Sequence, residues 1–160
     1  HHETGEPLPS SVREALIKAK NVHESVGMLR QIYLATLDLT IHSKSPPTSA
    51  EGLQELVDRI RPEITGIRNP TGANMLRSFG HLMNQYSAAY YGYMWAEVIS
   101  ADMFATRFEG DCMSLEAGMA YRKQVLGPGG TGKIMEHLTG FLGGRPPKQE
   151  PFLKARGILK

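Results

Sequence analysis

The stretch FGHLMNQYSAAYYGYMWAE, residues 79–97, holds one histidine, four tyrosines and one tryptophan, although the whole 160-residue chain has only six tyrosines and one tryptophan. In a helix, four of its side chains fall on one face at spacings of four, three and four: Tyr86, Tyr90, Tyr93 and Glu97. Aromatic stripes pack in cores more often than they line sites. A tyrosine hydroxyl is nevertheless a neutral donor at pH 7 that can stabilise a developing oxyanion. Core packing and ligand binding therefore both remain open for this stripe.

Helical periodicity extends through most of the remaining sequence. Apolar residues recur at helical spacing from about 24 to 41 and from about 88 to 108, and two shorter helical segments follow. Residues 63–78 are rich in Gly, Pro and Asn and predict a long irregular connection. Convincing strand alternation, internal repeats and low-complexity tracts are all absent. The sequence predicts an all-α fold in one helical domain spanning residues 1–160.

Polar residues and prolines suggest where the first helices begin and end. Ser11 with Glu14, and Thr48 with Glu51, each fit a capping box, in which the two side chains bond to backbone N–H groups at a helix start. Pro62 lacks an N–H group and is predicted to end the helix that begins after Thr48.

Composition excludes several classes of function. The 18 Lys and Arg residues are scattered among 16 Asp and Glu residues, which gives a net charge of +2 without a basic block. Nucleic acid and anionic membrane partners are therefore not expected. Apolar runs stay short of the roughly 18 residues that a membrane span needs. A single cysteine, Cys112, suits a reducing compartment and excludes a cysteine-based metal cluster.

Two motifs resemble chemical signatures but lack a required residue. GPGGTGKI, residues 127–134, has the spacing of a phosphate-binding loop, yet Ile134 stands where a magnesium-binding Ser or Thr belongs, and the preceding segment is predicted helical. HESVG, residues 23–27, begins like the His-Glu-x-x-His zinc motif but lacks its second histidine, and His42 and His137 also lack ligand spacing. Neither nucleotide binding nor a zinc site is expected from these residues.

A combination of segments resembles one family specifically. FGHLMNQYSAAYYGYMWAEV, ADMFATRF, GMAYRKQVLGPGG and FLGGRPPKQEPFL occur in this order, and MLRQIYLATLDLTIH precedes them. Together they resemble the C-terminal region of the M3 family of zinc oligopeptidases. The resemblance implies a multi-helix C-terminal part of a two-lobed helical zincin-type peptidase, in which a deep channel separates the lobes. It also implies that the zinc-binding helix is not within this segment.

The same resemblance implies a function for the intact protein. That protein is expected to be a monomeric zinc-dependent metalloendopeptidase that hydrolyses short peptides, located in the cytoplasm or in an organelle such as the mitochondrion. The 160 residues alone are expected to be inactive because their zinc ligands lie in the missing lobe. The alternative is a non-catalytic helical module that binds peptides or pairs with that lobe.

The resemblance also implies roles for individual residues. Tyr93 and Tyr90 correspond to catalytic hydroxyls near the scissile carbonyl, with Tyr93 as the leading oxyanion donor. His81 and Tyr86 correspond to substrate-binding residues on a mobile loop. The family loop carries Gly-Gly where residues 84–85 are Asn-Gln. Because glycine permits wide backbone excursions, this difference weakens the expectation that the loop is mobile and that it tolerates a broad range of substrates.

Overall fold

The computed structural model describes residues 1–159, and within them the chain forms helices and turns without any β-strand. The predicted all-α fold is confirmed. The chain divides into two compact units, His1–Tyr91 and Gly92–Lys160. The prediction of one domain across both units stays a prediction.

Unit 1, His1–Tyr91, is built on three helices. They are α1 (Ser10–Ala19), α2 (Glu24–Ile41) and α3 (Ala50–Thr65), followed by two short 3₁₀ turns at Met75–Arg77 and Gly80–Met83. The bounds of α2 are those expected from its apolar pattern. The helix α1 buries none of its side chains.

The core of unit 1 forms where α2 packs against α3. Apolar positions of α3 recur every three or four residues, so they line one face and pack against α2. Full burial of one such side chain stabilises the fold by roughly 1.5–3 kcal/mol. The buried side chains of this cluster are Tyr33, Leu34, Ala35, Leu37, Leu56, Val57, Ile60, Phe79, Leu82 and Tyr90.

The starts of α1 and α3 differ from the predicted capping boxes. The helix α1 begins at Ser10 with Pro9 as its N-cap, and no side chain caps it. Ser11 lies inside its first turn, which is why it cannot act as the cap. At α3 the cap is Ser49, whose Oγ accepts a hydrogen bond from the Gly52 N–H at 3.0 Å. The cap is thus one residue later than the predicted Thr48.

The end of α3 also differs from its prediction, because the helix continues through Pro62 to Thr65. A proline inside a helix removes one backbone donor but leaves its own carbonyl available. That carbonyl accepts a hydrogen bond from the Gly66 N–H at 3.0 Å. Gly66 has φ 71°, the left-handed conformation that glycine adopts readily at a helix C-terminus. The last turn is therefore closed by Gly66 and not interrupted at Pro62.

Unit 2, Gly92–Lys160, contains four helices in its described residues, 92–159. They are α4 (Gly92–Arg107), α5 (Leu115–Tyr121), α6 (Ile134–Phe141) and α7 (Glu150–Ala155), with a π-helical turn at Arg122–Leu126. The helix α7 packs against α4, and the π-helical turn packs against α5 and α6. The buried apolar side chains are Ala117, Leu138, Phe141, Leu142 and Phe152.

A buried carboxylate on α4 fastens the C-terminal part of unit 2. Asp102 has no exposed surface, and its two oxygens accept hydrogen bonds from the Arg145 guanidinium at 2.7 Å each. The Lys148 N–H donates to the same carboxylate at 2.8 Å. The guanidinium hydrogen bonds hold the pKa of Asp102 below its ordinary value, and burial opposes this only in part. Asp102 is thus an ionised anchor for residues 145–148.

The motif at residues 127–134 forms turns after the π-helical turn, with Gly129 and Gly132 at positive φ. A helical segment precedes it, so the strand that a phosphate-binding loop requires is not there. Among the helices of residues 1–159, none combines the length and the apolarity that crossing a bilayer requires.

Candidate functional site

Residues 86–91, here called the tyrosine turn, form successive turns before α4 begins at Gly92. Ala88 has φ 58°, which is the left-handed region that residues with a Cβ rarely adopt. A residue in this conformation cannot continue a right-handed helix. The predicted single helical face is therefore wrong: Tyr86 and Tyr90 lie in the turn, whereas Tyr93 lies in the first turn of α4.

Three of the four predicted site residues come together in one aromatic cluster. The His81 ring lies 5.3 Å from the Tyr86 ring and 5.4 Å from the Tyr90 ring, between ring centroids. Phe79 completes the cluster, 5.2 Å from Tyr90 in an edge-to-face arrangement. Edge-to-face pairs of this kind stabilise a fold by more than the burial of their apolar area alone would. Tyr90 is 8% exposed, while His81 and Tyr86 are half-buried.

The backbone of the tyrosine turn is held by a side chain from α2. Asp38 Oδ1 accepts a hydrogen bond from the Ala88 N–H, and Asp38 Oδ2 accepts one from the Tyr90 N–H, both at 3.0 Å. His42 Nδ1 lies 3.0 Å from Asp38 Oδ1. Asp38 has no exposed surface. The two backbone hydrogen bonds connect Asp38 to residues that follow it by 50 and 52 positions in the chain.

Tyr93 belongs to unit 2 and is 40% exposed. One helical turn later, Glu97 forms an ion pair with Arg156, whose guanidinium also lies over the Phe152 ring at 5.3 Å. The ion pair therefore connects this part of α4 to the end of α7, and the contact with Phe152 holds the Arg156 guanidinium within the α7 segment. Tyr93 as a catalytic residue stays a prediction.

A family comparison decides what kind of protein carries these features. The model of peptidase family M3 matches residues 1–158 of the chain. The chain belongs to peptidase family M3. Three relatives illustrate the similarity by their identity to this chain and by the share of each sequence that is matched.

Saccharolysin of Saccharomyces cerevisiae is 38% identical over 165 residues, covering 99% of this chain and 22% of saccharolysin. The thimet-like oligopeptidase of Dictyostelium discoideum is 37% identical over 94% of this chain and 22% of its own length. The probable cytosolic oligopeptidase A of Arabidopsis thaliana is 35% identical over 99% of this chain and 23% of its own length. An organellar oligopeptidase A of that plant also matches. The M3 chain thus spans about a fifth of the length of these relatives.

The M3 chain does not offer a zinc site of its own in the part that the structure describes. No three or more His, Cys, Asp or Glu side chains of residues 1–159 lie close enough together to hold a metal ion. Structural and catalytic zinc sites use three or four such ligands. The zinc that the family resemblance implies does not fit these residues, so they are assigned no metal-dependent step.

Asn84 orders the loop that leads into the tyrosine turn. Its side-chain Nδ2 donates to the Gly80 carbonyl at 2.9 Å, and its Oδ1 accepts from the Tyr86 N–H at 3.2 Å. Ser87 Oγ adds a hydrogen bond to the Leu82 carbonyl at 2.8 Å. A Gly-Gly pair offers no side chain for such bonds. The Asn84 side chain therefore fixes this loop by two hydrogen bonds that glycine at position 84 would not make.

A separate cleft of about 760 Å³ lies in unit 1 beside the second half of α3, and its lining includes none of the predicted site residues. Asp58 in this cleft accepts hydrogen bonds from Gln54 at 3.0 Å and from Asn69 at 2.6 Å. These two bonds, Gln54 first, lower the pKa of Asp58. The Asp58 carboxylate in this cleft is thus held by one neutral amide from α3 and one from the loop that follows it.

Asp38 and His42 were not among the predicted site residues. Sequence offers one signal: Asp38 is the one charged residue in the mainly apolar run LATLDLTI of α2. A buried carboxylate needs hydrogen-bond donors, so such an Asp indicates a partner from elsewhere in the chain. The sequence does not say which segment supplies it.

Proposed function

We propose that this chain is the C-terminal part of a zinc-dependent oligopeptidase that hydrolyses peptide bonds in short peptides. In this proposal the chain supplies side chains that contact the substrate, and the zinc is held by other parts of the longer protein. Membership of family M3 supports the reaction class. The observation that carries the assignment to these residues is the clustering of His81, Tyr86 and Tyr90 around one ordered turn.

The tyrosine hydroxyls are proposed to stabilise the oxyanion that develops on the scissile carbonyl. A neutral phenol can donate a hydrogen bond to this oxygen without requiring a counterion. The exposure of Tyr93 supports it as the leading donor. Tyr90 is proposed as the second donor, with its ring oriented by Phe79 and His81.

His81 and Tyr86 are proposed to bind the substrate peptide. Both rings are half-buried, so each combines a fixed apolar side with surface that a ligand can reach. An imidazole and a phenol can each exchange hydrogen bonds with a peptide backbone. Short peptides suit such a surface because their backbone groups are mostly unpaired.

Replacement of Tyr93 by Phe in the intact peptidase tests the catalytic part of this proposal. We expect kcat to fall about 10²- to 10³-fold, with little change in KM, because the lost donor acts mainly in the transition state. Tyr91→Phe is the matched control, since Tyr91 is an exposed neighbour without a proposed role. A Tyr93→Phe enzyme with the kcat of the control would remove Tyr93 from the mechanism.

The second candidate function applies to the chain on its own: a non-catalytic helical module that binds peptides or pairs with the rest of the protein. The lack of a metal-ligand cluster in residues 1–159 favours it. A zinc-supplemented peptidase assay of the chain alone, and then mixed with the remaining part of the protein, separates the two. We expect activity only in the mixture. Hydrolysis by the purified chain alone would contradict this expectation.

The cell compartment and assembly are part of the same proposal. The relatives include proteins named as cytosolic and as organellar. We propose a cytoplasmic, monomeric parent protein. Fractionation of cells followed by size-exclusion chromatography of the intact protein tests both statements, and an organellar or dimeric protein would contradict them.

A further inference from the structure

Asp38 combines three properties that are unusual for one carboxylate. It is fully buried, its two oxygens accept from two backbone N–H groups of the tyrosine turn, and its Oδ1 also lies 3.0 Å from His42 Nδ1. A carboxylate is the side chain that presents two acceptor oxygens at a fixed separation. The donors come from Ala88 and Tyr90, which flank a single residue. The carboxylate therefore spans the middle of the turn.

The conformation of Ala88 requires such support. Residues with a Cβ persist in the left-handed region only where surrounding contacts determine the backbone. Backbone hydrogen bonds within the turn, such as that from the Ala89 N–H to the Tyr86 carbonyl at 2.9 Å, join only residues of the turn itself. The Asp38 carboxylate supplies the contact from outside the turn.

We propose that Asp38 is the positioning residue of the tyrosine turn, with His42 orienting its carboxylate. Through the two N–H groups, Asp38 sets where the Tyr90 ring stands relative to His81. This inference rests on the proposed function for its effect on catalysis. Its structural part, the fixation of the turn, does not depend on that function.

Asparagine at position 38 is the sharpest test of this geometry. It has nearly the same shape as aspartate, but it replaces one acceptor oxygen by an NH₂ group. One of the two N–H groups, from Ala88 or Tyr90, then faces a donor and loses its bond. Asp58→Asn is the matched control because Asp58 lies in the same unit, and its hydrogen bonds come from the side-chain amides of Gln54 and Asn69, not from the tyrosine turn.

The experiment compares the two variants in the full protein that contains this chain. In Asp38→Asn we expect the amide that loses its acceptor, that of Ala88 or that of Tyr90, to exchange with solvent at least about tenfold faster, while the core amide of Leu37 keeps its rate. We expect kcat for a short peptide to fall about 10- to 100-fold with KM changed less than about threefold, since the change misplaces catalytic groups. Asp58→Asn should leave both readouts at the values of the unmodified protein.

Two results would overturn the proposal. One is turn amides that exchange equally in Asp38→Asn and Asp58→Asn. The other is an Asp38→Asn enzyme whose kcat equals that of the control. If neither the variants nor the unmodified protein hydrolyses peptides, the proposed function fails, while the exchange rates still decide the positioning role.

Exchange in the unmodified protein provides a measurement that does not depend on folding of the variant. After correction for intrinsic rates, the Ala88 and Tyr90 amides should exchange at least about tenfold more slowly than that of Gln85. Gln85 lies in the same loop, and its amide donates no hydrogen bond within residues 1–159. Equal rates at the three positions would show that Asp38 does not fix the turn.

Discussion

The two units each bury one aspartate completely on a long helix, but they satisfy it differently. In unit 1, Asp38 accepts hydrogen bonds from the backbone of a distant turn and contacts the imidazole of His42. In unit 2, Asp102 forms a two-pronged ion pair with Arg145 and accepts from Thr106 Oγ1 at 3.4 Å. Both carboxylates tie a later segment to a helix. The difference is whether the partner is mainly backbone or a cation.

Contacts to backbone N–H groups fix the conformation of a turn, whereas contacts to a long side chain fix only where its segment lies. Backbone N–H groups have fixed directions, so a carboxylate that accepts two of them sets the φ and ψ angles of the turn. A guanidinium lies at the end of a long side chain and sets mainly the position of its segment. We therefore expect loss of the Asp38 contacts to change the local conformation of the turn, and loss of the Asp102 ion pair to lower the stability of unit 2.

The largest expected effect is on unit 2. Arg145→Met leaves the buried Asp102 carboxylate without its cation, and we expect the free energy of unfolding to fall by about 3 kcal/mol. Urea denaturation followed by circular dichroism measures this change. Lys133→Met is the control, since it removes the exposed pair with Glu136, and such pairs contribute roughly 1 kcal/mol or less. Equal effects in the two variants would contradict the proposed anchor.

The same variant tests whether the two units form one domain. If residues 1–160 unfold as one cooperative domain, Arg145→Met should accelerate amide exchange in the core of α2 as much as in α4. Acceleration confined to α4 and its unit would show that the units unfold separately. The sequence prediction of a single domain favours the first outcome.

The second prediction concerns acid. The pKa of Asp102 is lower in the folded chain than its unfolded value near ~3.9, so the stability it contributes is present above that value. That contribution is lost as the pH falls below about 4 toward the folded pKa. Urea denaturation between about pH 2.5 and 6 should show a smaller acid loss in Arg145→Met than in the unmodified protein.

The contribution of Asp58 to the loss of stability in acid must be separated from that of Asp102, because the pKa of Asp58 is lowered as well. Asp58→Asn removes that contribution and should leave most of the Asp102-dependent acid loss in place. An acid profile in Arg145→Met that is parallel to that of the unmodified protein would show that the ion pair does not govern it.

A third, smaller effect is expected from the histidine next to Asp38. His42→Ala removes an imidazole whose Nδ1 lies 2.9 Å from the Asp38 backbone carbonyl oxygen and 3.0 Å from Asp38 Oδ1, and we expect the free energy of unfolding to fall by about 1.5 kcal/mol. His137→Ala is the control because His137 makes no side-chain hydrogen bond within the described part of the chain. Thermal unfolding of both variants measures the difference. A His42→Ala protein as stable as the control would exclude a supporting role for His42.

The smallest expected effect has the opposite sign. The Tyr33 hydroxyl is buried in the unit 1 core without a hydrogen-bond partner among residues 1–159, and burial raises its pKa. Tyr33→Phe removes this unsatisfied oxygen and should stabilise the chain by up to about 1 kcal/mol. Urea denaturation checks this result. A loss of more than about 1 kcal/mol would indicate that the hydroxyl has a partner.

Much of the fold could be predicted from local pattern. The bounds of α2 were predicted because its apolar residues repeat regularly over five turns and its polar flanks end the pattern. The start of α4 was misplaced by four residues. Ala88 and its neighbours suit a helix by their own preference, but in the turn that forms instead the Ala88 and Tyr90 N–H groups donate to the distant Asp38. The end of α3 could not be predicted from Pro62 alone either, because the Gly66 N–H donates to the Pro62 carbonyl and closes a further helical turn.

The sequence by itself determined the all-helical fold, because apolar spacing at helical period depends only on neighbours along the chain. It also determined the family, through an ordered set of motifs. Tertiary structure alone decided that His81, Tyr86 and Tyr90 meet at a turn and not along a helical face. The physical reason is that a buried carboxylate must be satisfied by donors, and the two backbone N–H groups that donate to Asp38 are 50 and 52 residues away in sequence.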